Sequence, residues 1–66
     1  MLKIVINGEP FKTSATTLGE LVSVLHEDRA RVATALNGAF VAANARATTK
    51  LSAGDAIEIL TARQGG

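Results

Sequence analysis

Apolar and polar residues alternate at the start of the chain, which is the pattern of a β-strand with one buried face. Residues 2–6, LKIVI, place three aliphatic side chains on one side of such a strand. The residues NGEP (7–10) contain an Asn-Gly pair that favours a tight turn, since both residues tolerate positive φ. FKTS (11–14) then predicts a short return strand, so that residues 2–14 form a β-hairpin. Pro10 has no N–H for a ladder and therefore predicts an edge strand.

A helical period follows in the segment TTLGELVSVLHED. Its apolar side chains recur at i, i+3, i+4 and i+7, which is the stripe of a helix with one buried face: Leu18, Leu21, Val22 and Leu25. Thr17 has the position and the side chain of an N-cap, and Glu20 follows at the spacing of a capping box. We therefore predict about ten helical residues, held in place mainly by packing of the stripe.

The second half of the chain returns to strand patterns. Residues 31–43, RVATALNGAFVAA, predict two strands around another Asn-Gly pair at Asn37. Residues 44–55 have no regular period and end in a turn at residues 53–55. Residues 56–62, AIEILTA, predict the last strand. The order β-β-α-β-β-β indicates the α+β class, with one helix laid across one face of a mixed sheet.

In that arrangement the core consists of the inward-facing aliphatic residues: Leu2, Ile4, Ile6, Leu18, Leu21, Val22, Leu25, Leu36, Leu51, Ile57 and Ile59. With the first and last strands side by side, Val5 and Leu60 fall on the helix-free face, and Phe40 is a candidate to join them. Two interpretations remain open for these side chains. They form either the modest apolar surface that every small protein exposes or a docking patch for a larger partner.

Composition limits the chemistry that a chain of 66 residues can carry. The chain has no cysteine and a single histidine, His26, which excludes nucleophile–base pairs and metal clusters other than carboxylate sites. The acidic residues are dispersed, and so small a domain has little room for the pocket of roughly 300–1,000 Å³ that a ligand site occupies. We therefore predict a protein that is not an enzyme and binds no cofactor or metal of its own.

Charge and segment lengths bear on partners and location. Seven basic residues against six acidic ones give a net charge of +1, with the charges scattered singly, which disfavours nucleic-acid or membrane-surface binding. No apolar run approaches the roughly 20 residues of a membrane-spanning helix. The opening residues MLKIVINGEP lack the basic and long apolar regions of a secretory signal, and the lack of cysteine fits a reducing compartment. These features predict a cytoplasmic protein without nucleic-acid or membrane partners.

The chain ends in RQGG, residues 63–66. Glycine has no side chain to bury and loses the most conformational freedom on folding, so Gly65 and Gly66 add nothing to a core. One interpretation is a frayed end. The other is that the terminal carboxylate is the working group and that the glycines let it enter another protein's active site. We accordingly divide the chain into a folded domain over residues 1–62 and a flexible tail over 63–66.

Three stretches occur in a specific order along the chain: VATALNGAFV (32–41), LSAGDAIEIL (51–60) and the terminal RQGG. They resemble the V-x-x-x-[LV]-N-G-x-x-V segment, the L-x-x-G-D-x-[IV]-E-[IV] segment and the C-terminal end of the sulfur carrier proteins of thiamine biosynthesis. The opening NGEP…TTLGELV is similar as well, so the resemblance spans essentially the whole chain. One departure is VAANARATT (41–49), which lacks a proline and an aromatic residue that many members carry there.

The resemblance implies a ubiquitin-like β-grasp fold and a protein co-substrate in place of a catalyst. In that family, an E1-like adenylyltransferase uses ATP and Mg²⁺ to adenylate the terminal carboxylate, here that of Gly66. A persulfide donor protein then converts it to a thiocarboxylate, and a thiazole synthase accepts the sulfur. Gly65 would give the tail its flexibility. The docking residues that this implies are Val5, Phe40, Leu60, Arg63 and Gln64.

Three alternatives remain open at this stage. The small subunit of molybdopterin synthase, or another ubiquitin-like sulfur carrier, would use the same chemistry, although those subunits are commonly longer. A ubiquitin-like modifier would be joined to lysines of other proteins. A β-grasp interaction or RNA-binding module would have no chemistry at its end, and RNA binding is disfavoured because only Phe11 and Phe40 are available for stacking.

Overall fold

The computed structural model describes residues 1–25 and 31–61. The elements in chain order are β1 (Leu2–Ile6), β2 (Glu9–Thr13), α1 (Leu18–Leu25), β3 (Val32–Leu36), β4 (Ala39–Val41), a 3₁₀ helix (Ala43–Thr48) and β5 (Ala56–Thr61). The predicted order of strands and helix is confirmed. The part of the predicted helix that covers His26 and its neighbours lies outside the described residues.

The strands form one five-stranded mixed sheet in the order β2-β1-β5-β3-β4. β1 and β5 are parallel neighbours, and β5 pairs antiparallel with β3 on its other side. The last strand of the sequence is therefore the central strand of the sheet. β2 is an edge strand that begins at Glu9, earlier than predicted, and Pro10 lies within it, where its missing N–H interrupts no second ladder.

Both hairpins turn at an Asn-Gly pair with positive φ at both residues. The φ angles are 50° at Asn7 and 84° at Gly8, and 50° at Asn37 and 86° at Gly38. Positive φ at both central positions is the geometry of a type I′ turn, whose twist matches that of the flanking strands. Asparagine tolerates this region better than most side chains do, so the turns form where the sequence predicts them.

The helix α1 begins with the predicted cap. The backbone N–H of Glu20 donates to Thr17 Oγ1 at 3.1 Å. The Glu20 carboxylate reaches back to the residue before the cap, because Oε1 accepts from both the N–H (2.7 Å) and the hydroxyl (2.9 Å) of Thr16. Two backbone hydrogen bonds, from Leu18 N–H to the Thr49 carbonyl and from Leu51 N–H to the Thr16 carbonyl, tie this end of the helix to the segment before β5.

The core lies between α1 and one face of the sheet. Seven of the predicted core residues are buried: Ile4, Leu18, Leu21, Val22, Leu51, Ile57 and Ile59. The other four, Leu2, Ile6, Leu25 and Leu36, are half-buried and pack against that cluster. Each of these four stands at the first or last described position of its element, where fewer neighbours cover it. Ala15 and Val32 complete the buried apolar cluster, and the sequence reasoning missed both.

The segment after β4 differs from the prediction of an irregular stretch, because Ala43–Thr48 forms a 3₁₀ helix. It packs closely on α1: a Cβ added at Gly19 would lie 3.3 Å from the Cα and the N of Ala47. Arg46 points inward from this helix and is only 5% exposed. Its guanidinium donates from Nε to Thr34 Oγ1 (3.0 Å) and from Nη2 to the Val32 carbonyl oxygen (2.6 Å).

Candidate functional site at the end of the last strand

The candidate site begins where β5 ends, at Thr61. The residues that carry the predicted chemistry and part of the predicted docking begin two positions after the end of this strand. They are Arg63, Gln64, Gly65 and Gly66, and all four lie outside the described residues. The structure does describe the strand β5 that precedes them and the sheet surfaces next to this strand.

The final part of β5 is held from both sides. On one side it pairs with β3, in the register Thr34 with Ile59, Ala33 with Leu60 and Val32 with Thr61. On the other side β1 has already ended at Ile6. There the side chain of Asn7 takes the place of a strand, donating from Nδ2 to the Ile59 carbonyl oxygen (3.0 Å) and accepting at Oδ1 from the Ile59 N–H (2.9 Å).

The start of β5 is held by the other turn asparagine. The backbone N–H of Asn37 donates to the Ala56 carbonyl oxygen at 2.7 Å, and the Ala56 N–H donates to Asn37 Oδ1 at 2.9 Å. Asn37 Nδ2 also donates to Asp55 Oδ1 at 3.0 Å. The sequence predicted two turns from the two Asn-Gly pairs, but nothing local in the sequence signals these bonds to a strand many residues away.

The helix-free face of the sheet carries the three predicted docking residues that are described. Phe40 and Leu60 are 73% and 66% exposed, and they line a shallow depression of about 90 Å³ together with Ala33 and Ala35. These four residues share one face, because Ala35 pairs with Phe40 and Ala33 pairs with Leu60 in the ladders. Phe40 and Leu60 thus form an apolar patch on the helix-free face, and Glu58 also lines its depression. Leu60 is one residue before the end of β5, whereas Phe40 is level with Glu58 in the middle of that strand.

Val5 is on the same face but not in the same patch. It is half-buried and pairs with Pro10 and Ala56 across the neighbouring strands. It lines a separate depression of about 350 Å³ between β1 and β2. Lys3 and Lys12 also line that depression and are direct cross-strand partners. The structure therefore joins Phe40 to Leu60 and leaves Val5 next to a pair of cations that the sequence reasoning did not single out.

The described residues offer little catalytic chemistry. Among residues 1–25 and 31–61, no group of three histidine, cysteine or acidic side chains comes together that could hold a metal ion. The Glu20 pKa is lowered because the N–H and the hydroxyl of Thr16 donate to its carboxylate, which serves to cap α1. In the same ranges, no helix has both the length and the apolar content to cross a membrane.

The fold defines the class of this protein, and the C-terminal residues follow the central strand of its sheet in the sequence. A mixed five-stranded sheet with one helix across one face is the architecture of a ubiquitin-like β-grasp protein in the α+β class, as predicted.

The chain belongs to the ThiS family, whose model matches residues 4–66. It is similar to the crystal structure of the thiamine biosynthesis protein ThiS from Geobacter metallireducens, with 29% identity and a TM-score of 0.83 over 98% of this chain and 100% of that one. It also matches the NMR solution structure of a thiamine biosynthesis protein from Geobacter metallireducens, with 30% identity and a TM-score of 0.79 over 98% of this chain and 88% of that one. No curated protein matches the chain. The family resemblance inferred from the three sequence stretches is confirmed.

Proposed function

We propose that this protein is the sulfur carrier for thiazole formation in thiamine biosynthesis. The observation that carries the proposal is membership of the ThiS family, with a family match that runs through the terminal Gly65-Gly66. Support also comes from the two similar structures, which are those of thiamine biosynthesis proteins. The chain acts as a co-substrate in the cytoplasm, and its partners hold the catalytic groups. Residues 1–62 form the body that docks, and residues 63–66 form the tail that reacts.

The reaction begins at the Gly66 carboxylate. A terminal carboxyl group has a reference pKa of roughly 3.3–3.7, so it is ionised at neutral pH and is a poor electrophile. An E1-like adenylyltransferase that holds ATP and Mg²⁺ brings this carboxylate to the α-phosphorus. A new O–P bond forms, pyrophosphate leaves, and the Gly66 carbonyl becomes an activated acyl-adenylate.

Sulfur then replaces the adenylate. The terminal sulfur of a donor protein's persulfide attacks the Gly66 carbonyl carbon, and AMP leaves with its electron pair. A second thiol then attacks the cysteine sulfur of the donor protein in the resulting acyl disulfide. The S–S bond breaks, the acyl-bound sulfur leaves with the electron pair as the thiocarboxylate, and a new disulfide remains on the donor. The thiocarboxylate is the nucleophile from which a thiazole synthase takes sulfur. The carrier needs no cysteine of its own for these reaction steps, because the sulfur is bound at the chain end.

Glycine suits the last two positions because an extended chain end must enter a narrow site without side chains in the way. Ordering each tail residue costs roughly 1–2 kcal/mol, and docking of the body has to offset that cost. The apolar patch of Phe40 and Leu60 is exposed, and Leu60 is one residue before the end of β5, so this patch can supply such a contact. Val5 in the neighbouring depression extends the docking face, and Arg63 and Gln64 add polar contacts between the body and Gly65-Gly66.

The test is to change the chain end alone. We expect deletion of Gly66, or addition of one alanine after it, to abolish sulfur loading by the adenylyltransferase, ATP and a persulfide donor. The fold should be unchanged because the buried core residues run from Ile4 to Ile59 and do not include the chain end. Intact-mass spectrometry measures loading as replacement of one oxygen by sulfur, and the unaltered protein is the control.

Four outcomes would contradict the proposal. The first is an unchanged thiocarboxylate yield in either variant. The second is a native protein that continues past residue 66 and is not processed back to it. The third is capture of a molybdopterin synthase large subunit in place of a thiazole synthase, which would move the carrier to another pathway. Conjugates of higher mass on lysines of other proteins would instead identify a modifier.

A further inference from the structure

The end of β5 lacks a strand on one side, and a single side chain fills that place. In the parallel pair with β1, the Ile57 carbonyl oxygen accepts from the backbone N–H of Asn7 at 2.9 Å. Two residues further along β5, Ile59 presents its N–H and its carbonyl oxygen to the same side, where β1 has ended. The amide group of Asn7 satisfies both, at 2.9 Å and 3.0 Å. It acts as one more peptide unit of the missing strand.

The turn itself does not require this side chain. Residue 7 has φ of 50°, which glycine adopts at least as readily as asparagine does. The specific contribution of asparagine at position 7 is therefore the pair of bonds to Ile59, which bridges 52 positions of sequence. Without it, the Ile59 N–H and carbonyl oxygen would lose their partners on this side, and the β1 side of the strand end would open.

We propose that Asn7 is a positioning residue for sulfur loading, which acts by holding the end of β5 in place so that the tail leaves the body in one direction. This inference rests on the proposed function. The Gly66 carboxylate is seven residues beyond Ile59, which is at most roughly 23–25 Å of extended chain. A partner that binds the apolar patch and receives the tail in its active site requires a fixed position of the start of the tail relative to the patch. Small misplacements of a reacting group lower rates by up to about 100-fold.

Asn37 provides a matched control. It also precedes a glycine in a hairpin turn, has the same φ of 50°, and bonds with its side chain to the backbone of β5. Its partner, however, is Ala56 at the start of the strand, remote from the tail. Glycine at either position keeps the turn and removes the side-chain hydrogen bonds, which join Asn7 to Ile59 and Asn37 to Ala56 and Asp55.

The experiment compares Asn7→Gly with Asn37→Gly as substrates of the adenylyltransferase. With the carrier as the varied substrate, we expect Asn7→Gly to lower kcat for loading by about tenfold or more, because chain placement is lost. Its KM should change by less than about twofold, because β3 still holds Leu60 and the patch is intact. Asn37→Gly should change both constants by less than about twofold. Hydrogen exchange of the Ile59 amide should accelerate in Asn7→Gly and not in Asn37→Gly.

Each result decides the inference. Equal kcat values for the unaltered protein and Asn7→Gly overturn the positioning role, and so do equal losses in the two glycine variants or a rise in KM alone. If Asn7→Gly does not fold, the same kinetics are measured on Asn7→Asp. This variant keeps the acceptor for the Ile59 N–H and loses the donor to the Ile59 carbonyl oxygen. An unchanged kcat for Asn7→Asp then overturns the positioning role. Failure of the unaltered protein to accept sulfur at all is a failure of the proposed function, which is a different result.

Discussion

Arg46 shows how a charged residue can be part of the interior of a very small domain. Burial of a guanidinium is costly unless its donors find acceptors. Here Nε donates to the Thr34 hydroxyl and Nη2 donates to the Val32 carbonyl oxygen. The Thr34 hydroxyl in turn donates to the Val41 carbonyl oxygen at 2.8 Å. Arg46 therefore connects the 3₁₀ helix to β3 and, through Thr34, to β4.

We expect Arg46→Ala to lower the free energy of unfolding by about 2–3 kcal/mol, because it leaves buried acceptors unpaired and opens a void. The loss of unfolding free energy for Arg46→Lys should lie between zero and the loss for Arg46→Ala, since an ammonium group cannot reproduce the planar set of guanidinium N–H donors. Urea denaturation measures both. Lys12→Ala, a change of an exposed cation, is the control and should stay within about 0.5 kcal/mol. An Arg46→Ala loss no larger than the control's would contradict this account.

Single residues mark the limit of what the sequence predicted. An arginine between β4 and β5 has no local feature that distinguishes a buried side chain from an exposed one, and its acceptors come from other elements. The same holds for Asn7, whose turn was predicted from Asn-Gly and whose bond to Ile59 was not. Local patterns predict local backbone geometry, whereas these contacts exist only once the sheet is assembled.

At the scale of elements, the Glu20 carboxylate stabilises the N-terminus of α1. Hydrogen bonds from Thr16 to the Glu20 carboxylate favour its ionised form and lower its pKa. A lowered pKa contributes stability that is present above the pKa of the unfolded chain, roughly 4.3 for glutamate. That stability is lost as the pH falls through the lower pKa of the folded protein. The cap is therefore an acid-sensitive part of the fold.

We expect Glu20→Gln to destabilise the protein at pH 7 and to have a progressively smaller effect as the pH falls below about 4. Thr17→Ala removes the other half of the cap and should cost about 1 kcal/mol at every pH, because a hydroxyl does not titrate in this range. Urea midpoints of both variants and the unaltered protein between pH 3 and pH 7 measure the difference. A Glu20→Gln effect that is independent of pH would exclude the carboxylate's charge as the source of the stability.

The elements themselves were largely predictable because each strand and the helix has a clear period. The 3₁₀ helix was not, since its alanine-rich sequence has no apolar stripe and it is held by packing against α1. Gly19 illustrates the same point from the helix side. In the sequence it only weakens helix propensity, whereas in the structure it lets the backbone of Ala47 approach so closely that a Cβ would lie 3.3 Å away.

At the scale of the whole molecule, the sheet topology places β5, the strand that precedes the tail in the sequence, between β1 and β3. The parallel pairing of β1 and β5 puts the last strand at the centre of the sheet. The sequence patterns are compatible with these two strands as neighbours, but they predict neither the parallel direction nor the central position of β5. β5 also runs past the end of β1, and Leu60 of the patch lies in that last part of the strand. The sequence placed Val5 on the same face as Leu60, with Phe40 as a candidate for that face. It could not show that Val5 lines another depression, because that depends on the register of several strands.

The patch provides the prediction that tests the docking surface directly. We expect Leu60→Glu to weaken binding to the adenylyltransferase by about tenfold, which corresponds to about 1.4 kcal/mol, because it places a charge in the apolar contact. Val24→Glu is the matched control, because Val24 is 72% exposed on α1, remote from the patch. Both variants should keep the stability of the unaltered protein within about 0.5 kcal/mol, since both side chains are exposed. Titration calorimetry measures the affinities, and equal affinities for the two variants would remove Leu60 from the interface. Leu60 and Ile59 are neighbours in β5, but the two variants test different roles. A higher KM for Leu60→Glu would indicate weaker docking, and a lower kcat for Asn7→Gly would indicate a misplaced tail.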